Sequence, residues 1–255
     1  MERIDQLLVK LNKAETRSKA KALILSGYVY INNKRIEKAG LMVDENAQIE
    51  VKYPGGKYVS RGGYKLEAAL KYFNILVSDK IALDAGASTG GFTDCLLQFG
   101  AKEVIAIDVG YGQLDYRLQK DQRVIPIFRR NVRYIKHDDV GKRCDIITLD
   151  LSFISLRKVL LPLKKLLNHK GYILALVKPQ FEAGPEYVQK GGVIKDSAIH
   201  KKVINDVIEY AESINLNILG SFASPLLGPK GNREFFLLMT QKENKPTSNQ
   251  IESES

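Results

Sequence analysis

The stretch of sequence that decides the fold is Leu83-Asp84-Ala85-Gly86-Ala87-Ser88-Thr89-Gly90-Gly91-Phe92. It follows an apolar run that predicts a strand and precedes a pattern that predicts a helix, which is the context that a cofactor-binding glycine loop requires. Glycines at such a turn let the backbone approach a ligand closely. The third glycine of the dinucleotide fingerprint is not at its place, so we expect a different nucleotide-type cofactor. The expected contacts in this loop are Asp84, Gly86, Ser88, Gly90 and Gly91.

Outward from this loop, strand-like and helix-like segments alternate along the chain. This alternation is typical of an α/β fold in which helices cover both faces of a mostly parallel sheet, a Rossmann-like arrangement. We predict seven strands, at residues 81–84, 103–108, 124–128, 146–150, 172–177, 217–223 and 234–240. Only residues 225–233 separate the last two strands, so these two should form an antiparallel hairpin at the sheet edge.

Charged residues stand at the ends of several predicted strands. Asp108 ends the second strand about 20 residues after the loop, where a carboxylate can accept hydrogen bonds from the ribose of a bound adenosine. Asp150 and Lys178 end the fourth and fifth strands, and ligands of open α/β sheets bind outside such ends. We expect Asp108 and Asp150 to contact the cofactor, with Lys178 in the same crevice. A lysine that simply extends into solvent is the alternative for Lys178.

Residues 1–52 predict a separate, small α+β domain. Apolar residues at helical spacing predict two short helices, and alternating segments predict three strands after them. Residues 1–57 contain eleven Lys or Arg against seven Asp or Glu, in a chain of formal net charge +10. Such an excess favours a nucleic-acid partner, although a solvated basic helix face is the simpler alternative. The expected RNA contacts are Arg3, Lys10, Arg17, Lys19, Lys38 and Arg61.

Composition suggests the other boundaries and several exclusions. We expect a linker at 53–60, a second domain at 61–242 and a disordered polar tail at 243–255. No apolar stretch approaches the roughly 20 residues of a membrane span. The N-terminus lacks the pattern of a secretory signal, so we expect a cytoplasmic protein without membrane contact. Cys95 and Cys144 have no partner at metal-ligand spacing, which predicts reduced thiols and no metal site.

Two resemblances extend this interpretation. The N-terminal segment resembles the S4 RNA-binding domain on Arg17, Ser18, Ala20, Leu23, Ile24, Gly27, Val29, Ile31 and Asn32. Almost the whole chain resembles the TlyA family, also known as haemolysins, on the blocks 59–66, 83–92, 108–114, 150–156, 177–182 and 231–236. This second resemblance implies S-adenosylmethionine-dependent 2′-O-methylation of a cytidine in ribosomal RNA, in the 23S molecule and in some members also in 16S. It also implies a catalytic tetrad that maps onto Lys65, Asp150, Lys178 and Glu234.

These residue types suit the implied chemistry. A ribose hydroxyl is a weak acid and a poor nucleophile, so its attack on a sulfonium methyl group needs a base and careful alignment. We expect Lys178 to be the general base and the other three residues to orient the amine and the hydroxyl. The partner would be ribosomal RNA or a ribosomal subunit, and the sequence indicates no obligate protein partner.

Three alternatives stand beside this prediction. A membrane-active haemolysin would need an apolar span or a strongly amphipathic surface helix. A non-catalytic RNA-binding factor could share the fold, because a fold alone does not prove activity. A methyltransferase acting on protein or on a nucleobase is the third, and for a base we would expect a pocket that reads its edge.

Overall fold

The computed structural model describes residues 1–14, 16–51, 56–188 and 192–242. The first part of the predicted linker, residues 53–55, and the whole predicted tail, residues 243–255, lie outside the described residues.

The N-terminal domain contains the two helices and three strands that the sequence predicts, together with two further strands that were not predicted, because two residues each are too few to show an alternating pattern. Its elements are β1 (Glu2–Arg3), α1 (Ile4–Lys10), α2 (Arg17–Leu25), β2 (Val29–Ile31), β3 (Lys34–Arg35), β4 (Met42–Val43) and β5 (Ile49–Val51). The side chain of Thr16 caps α2 by accepting a hydrogen bond from the backbone N–H of Lys19 at 3.2 Å. Strand β2 pairs antiparallel with both β3 and β5, and β1 pairs with β4. Apolar side chains of both helices and of the strands form a small core of their own.

The second domain is built on a seven-stranded sheet. Its strands are β6 (Ile81–Ala85), β7 (Glu103–Asp108), β8 (Val124–Phe128), β9 (Cys144–Leu149), β10 (Leu167–Val177), β11 (Leu216–Ala223) and β12 (Phe235–Gln241). Their order across the sheet is β11-β12-β10-β9-β6-β7-β8. The helices are α3 (Arg61–Tyr72), α4 (Gly91–Gln98), α5 (Tyr116–Lys120), α6 (His137–Val140), α7 (Leu160–Lys164), α8 (Pro179–Glu182) and α9 (Ser197–Ser213). Short 3-10 turns lie at Val132–Tyr134, Leu156–Lys158, Pro185–Tyr187 and Pro229–Gly231.

The seven predicted strands and the predicted hairpin are confirmed. Strands β6, β7, β8, β9 and β10 pair in parallel, whereas β12 runs antiparallel to both β10 and β11. Strand β10 begins at Leu167, five residues before the prediction, because the polar residues 168–170 at its start break the apolar run that marks the rest. Two apolar cores cover the two faces of the sheet.

The described end of the predicted linker packs on the second domain. Tyr58 is buried, and its hydroxyl donates to Glu67 on α3 at 3.0 Å. The backbone N–H of Val59 donates to Asp94 on α4 at 2.8 Å. Tyr58 and Val59 thus pack against α3 and α4, directly before α3 begins.

None of the helices within the described ranges has the length and apolar content that crossing a membrane requires.

Candidate active site

The loop between β6 and α4 takes a shape that its small residues make possible. Gly86 has a φ of +89°, and Gly90, which precedes α4, has a φ of +97°. A Cβ atom on Gly86 would lie 2.6 Å from the carbonyl oxygen of Asp150, a backbone atom that cannot rotate away. Gly86 is therefore required both by its backbone angle and by the close approach of the segment after β9.

Asp84 lies beneath this loop, in the interior. Its carboxylate accepts hydrogen bonds from Thr93 Oγ1 at 2.7 Å and from Thr148 Oγ1 at 3.3 Å. The side chain is fully buried, and burial, together with the nearby charge of Asp150, raises the pKa of its carboxyl to about 7. The structure thus places Asp84 as a support for the loop, away from the surface that a cofactor could touch.

Asp108 holds two loops at the end of β7. Its Oδ2 accepts from the backbone N–H of Ser88 at 2.8 Å, and its Oδ1 accepts from that of Gly110 at 2.7 Å. Each carboxylate oxygen has a second lone pair, so the half-buried side chain can still accept hydrogen bonds from a ligand.

The four residues of the implied tetrad form two ion pairs. Lys178 Nζ lies 2.7 Å from Asp150 Oδ1 and donates to Ser152 Oγ at 3.1 Å. Lys65 Nζ lies 2.5 Å from Glu234 Oε2. The side chains of Lys65 and Lys178 are each 9% exposed, and that of Glu234 is 0% exposed. Both amines are thus held by carboxylates with little access to solvent.

The sheet topology explains why these residues meet. Strands β9 and β10 are parallel neighbours, so Asp150 and Lys178 leave the sheet at the same edge. Strand β12 is antiparallel to β10 and pairs Phe235 with Val177, which puts Glu234 beside Lys178 at that edge. Lys65 reaches it from α3.

Glu234 retains an acceptor that no described group uses. Its Oε1 is buried without a hydrogen-bond partner. A Cβ atom on Gly228 would lie within 2.0 Å of this oxygen, so glycine at 228 lets the turn before β12 pass over the carboxylate. A buried carboxylate oxygen of this kind can accept a hydrogen bond from a ligand group.

Two adjoining clefts lie over this edge. The first has a volume of about 270 Å³ and contains Lys65, Asp150 and Lys178. The second has a volume of about 470 Å³ and contains Asp108 and Asp150. Gly86, Ser88, Asp150 and Ser152 line both clefts, so a ligand in one can touch a ligand in the other.

The sequence reasoning missed two residues of this site, Ser152 and Phe153. Phe153 has a φ of +62° and a side chain that is 90% exposed, next to the ring of Phe181 at 4.9 Å. Both residues stand within three positions of Asp150, and a hydroxyl and an aromatic ring so close after a predicted site residue were the available signal. An exposed ring on a strained backbone beside Lys178 is a surface on which a nucleotide base can stack.

The six predicted RNA contacts differ in what surrounds them. Arg3 and Arg17 both bond the carboxylate of Asp5, at 3.0 and 2.9 Å, and Lys10 bonds Glu2 at 3.1 Å. Lys19 lies over the ring of Tyr116, with 5.5 Å from Nζ to the ring centroid.

The other two predicted contacts are Lys38, on the surface of the N-terminal domain, and Arg61, in the second domain. Lys38 is exposed. Arg61 lines the first cleft and donates to the carbonyl oxygen of Leu227 at 3.1 Å, so it belongs to the rim of the candidate site.

Both cysteines are buried, and burial raises the pKa of Cys95 and of Cys144 to about 12. Within the described ranges, no three His, Cys, Asp or Glu side chains are grouped so that they could hold a metal ion.

Comparison with known proteins places this geometry in a family. The model of the FtsJ-like methyltransferase family matches residues 58–241, and that of the S4 domain matches residues 2–49. A Bacillus subtilis (strain 168) protein named "Putative rRNA methyltransferase YqxC" is 47% identical over 92% of this chain and 84% of its own. The "16S/23S rRNA (cytidine-2'-O)-methyltransferase TlyA" of Mycobacterium tuberculosis is 42% identical over 94% of this chain and 90% of its own.

The similarity extends to solved structures. One solved structure is titled "Putative hemolysin from Streptococcus thermophilus". It shares 41% sequence identity with this chain at a TM-score of 0.72, and the match covers 95% of this chain and 89% of that one.

Proposed function

Because the chain belongs to the FtsJ-like methyltransferase family and carries an S4 domain, we propose that it methylates the 2′-hydroxyl of a cytidine in ribosomal RNA, with S-adenosylmethionine as the methyl donor. The observation that carries the proposal is the pair of lysine–carboxylate contacts, Lys178 with Asp150 and Lys65 with Glu234, in a cleft that adjoins the glycine loop. The names of the similar proteins support the substrate class.

The second cleft fits a donor of this kind. Its volume of about 470 Å³ falls in the range of small-molecule sites. Gly86 lines this cleft, and the carboxylate of Asp108 can accept hydrogen bonds from ribose hydroxyls. Gly86, Ser88 and Asp108 would therefore hold the donor, together with Asp150 at the border between the clefts. Gly90 and Gly91 would shape the turn, and Asp84 would support it from below.

The donor supplies a methyl group that its sulfonium centre already activates, so the protein must supply alignment and a base. In the proposed mechanism, Lys178 acts as the neutral amine and accepts the proton of the ribose hydroxyl. The ribose oxygen bonds to the methyl carbon as the bond from that carbon to the donor sulfur breaks. Asp150 and Ser152 hold the Lys178 amine in place. Lys65 orients the ribose oxygen, and Glu234 fixes the Lys65 amine.

The S4 domain would bring the RNA to the first cleft. Among the predicted contacts, Lys38 and Arg61 are the best placed for phosphates, because Arg3, Arg17 and Lys10 already bond carboxylates of their own domain. We propose 23S ribosomal RNA as the substrate, with 16S as a second one, and hence a cytoplasmic site of action.

The test is methyl transfer to purified ribosomal subunits, followed by mapping of 2′-O-methyl groups. We expect radiolabel from S-adenosylmethionine to appear on a ribose of a cytidine in the large subunit. Label on a base or on a ribosomal protein would contradict the proposal. Absence of donor binding in isothermal titration calorimetry would favour a scaffold without catalysis.

A further inference from the structure

A tyrosine of the N-terminal domain is buried against the methyltransferase domain. Tyr28 is 0% exposed, its hydroxyl donates to the carboxylate of Asp115, and it accepts from Arg117 at 2.8 Å. Asp115 is also 0% exposed. Burial, and then the bond to Asp115, raises the pKa of Tyr28, so the hydroxyl keeps its proton and remains a donor.

Asp115 connects this contact to the glycine loop. Its backbone N–H donates to the carbonyl oxygen of Thr89 at 3.1 Å, and its carboxylate caps α5 by accepting from the backbone N–H of Arg117 at 2.9 Å. The side chains of Leu114 and Leu118, on either side of Asp115, fill the space beside Gly90. A shift of Asp115 would therefore move Thr89 and Gly90.

The segment from Asp108 to Leu118 thus has two contacting surfaces. At one end, Asp108 and Gln113 line the second cleft, where we place the methyl donor. At the other end, Asp115 and Arg117 contact the N-terminal domain. Such a segment can transmit a change at one surface to the other because both belong to one short, hydrogen-bonded stretch.

We propose that Tyr28 is a positioning residue for the methyl donor: by bonding Asp115, it holds the glycine loop at Thr89 and Gly90 in the form that binds the donor. This rests on the proposed function, because it takes the second cleft as the donor site. The N-terminal domain then contributes to two binding events, that of RNA and that of the donor. If RNA favours the position of this domain in which Tyr28 bonds Asp115, bound RNA increases the affinity for the donor. By thermodynamic linkage, the bound donor then increases the affinity for RNA by the same factor.

The experiment uses the full chain with Tyr28→Phe, which removes one hydroxyl and keeps the ring. We expect the Kd for S-adenosylmethionine in isothermal titration calorimetry to rise roughly three- to tenfold, as for other changes that act through an intervening segment. The KM for the donor should rise by the same factor, while kcat at saturating donor stays within about twofold. The matched control is Tyr187→Phe, which removes a hydroxyl that bonds Lys202 in the same domain as the cleft.

Asp115→Asn tests the same contact from the other side and serves if Tyr28→Phe does not fold. The amide oxygen still caps α5, but the bond from Tyr28 loses its charged acceptor, so donor affinity should fall in the same direction. A donor Kd unchanged by either folded variant overturns the proposal, as does a loss confined to kcat. If the unaltered protein does not bind the donor at all, the proposed function is what fails.

Discussion

At the scale of single residues, Lys178 is the side chain on which the chemistry depends most. Replacing it with alanine removes the amine and leaves the residues that line the second cleft in place. We expect kcat for methyl transfer to fall by a factor on the order of 10²–10⁴, the usual contribution of a general base. Donor affinity should stay within about twofold.

The kcat is measured from the radiolabelled methyl groups that are transferred to ribosomal RNA and collected on filters. Donor affinity is measured by calorimetry. Lys202→Ala, which removes an exposed amine from the same domain, is the control. Near-normal turnover of Lys178→Ala would refute the assignment of the base.

Asp84 gives a prediction about stability and pH. Its folded-state pKa of about 7 lies above the value of about 3.9 in an unfolded chain. Between these values the unfolded chain has released the proton and the folded one retains it, so this group's contribution to stability falls as pH rises from 4 to 7 and is constant above. Asp84→Asn removes this titration, so its stability relative to the unaltered protein should rise by about 2–3 kcal/mol between pH 5 and pH 8.

Urea denaturation gives the free energy of unfolding of both proteins at pH 5 and at pH 8. The difference between the two proteins at each pH is then compared, so that the titration of all other groups cancels. An equal stability gap at pH 5 and pH 8 would show that Asp84 is ionised in the folded protein at both.

At the scale of elements, the loop between β6 and α4 depends on the absence of side chains at its glycines. Gly86→Ala would place a Cβ atom 2.6 Å from the backbone oxygen of Asp150. Gly141→Ala is a matched control, because Gly141 has a similar φ of +75° but no atom within 4 Å of its Cβ position.

Both substitutions carry the cost of a left-handed backbone, about 1–2 kcal/mol. Only Gly86→Ala carries the clash as well, so we expect it to be the less stable of the two and to lose donor binding, while Gly141→Ala binds the donor normally. Thermal melts and calorimetry compare them. Equal donor affinities in the two variants would show that the loop does not contact the donor.

The elements also show how far the sequence could lead. The strands of the second domain could be predicted because each contains a distinct apolar run. Asp150 and Lys178 could be predicted as site residues because ligand sites of such sheets lie at strand ends. Helix α3, which carries Lys65, was missed, although Leu66, Ala69 and Leu70 have the spacing of a buried helix face. The meeting of Lys65 with Glu234 could not be read from spacing, because the two are 169 residues apart and the antiparallel insertion of β12 brings them together.

The basic residues of the N-terminal domain illustrate a second limit. Residue type alone did not show that Arg3 and Arg17 would share the carboxylate of Asp5, since that contact depends on how α1 packs against α2. Charge counting identified the basic surface, but it could not show which of its charges are already paired with carboxylates of the same domain.

At the scale of the whole molecule, the structure refines where RNA should be held. Lys34 and Lys38 are exposed in the N-terminal domain. We expect Lys34→Ala with Lys38→Ala to weaken RNA binding at all sequences and to reduce the slope of log K against log salt by about 2, one unit for each phosphate contact. Donor affinity in the absence of RNA should not change.

Fluorescence anisotropy with labelled RNA at several salt concentrations provides the slope. The control is Lys195→Ala with Lys201→Ala, which removes the same charge from exposed positions of the methyltransferase domain. If both double variants shift the slope equally, net charge rather than the N-terminal surface explains the affinity.

The late position of Glu234 in the chain has a consequence for synthesis. A growing polypeptide releases α3 and the glycine loop from the ribosome long before residue 234, so during this interval the Lys65 amine lacks its carboxylate partner. Under the proposed mechanism, the protein can transfer a methyl group only after β12 has left the ribosome and paired with β10.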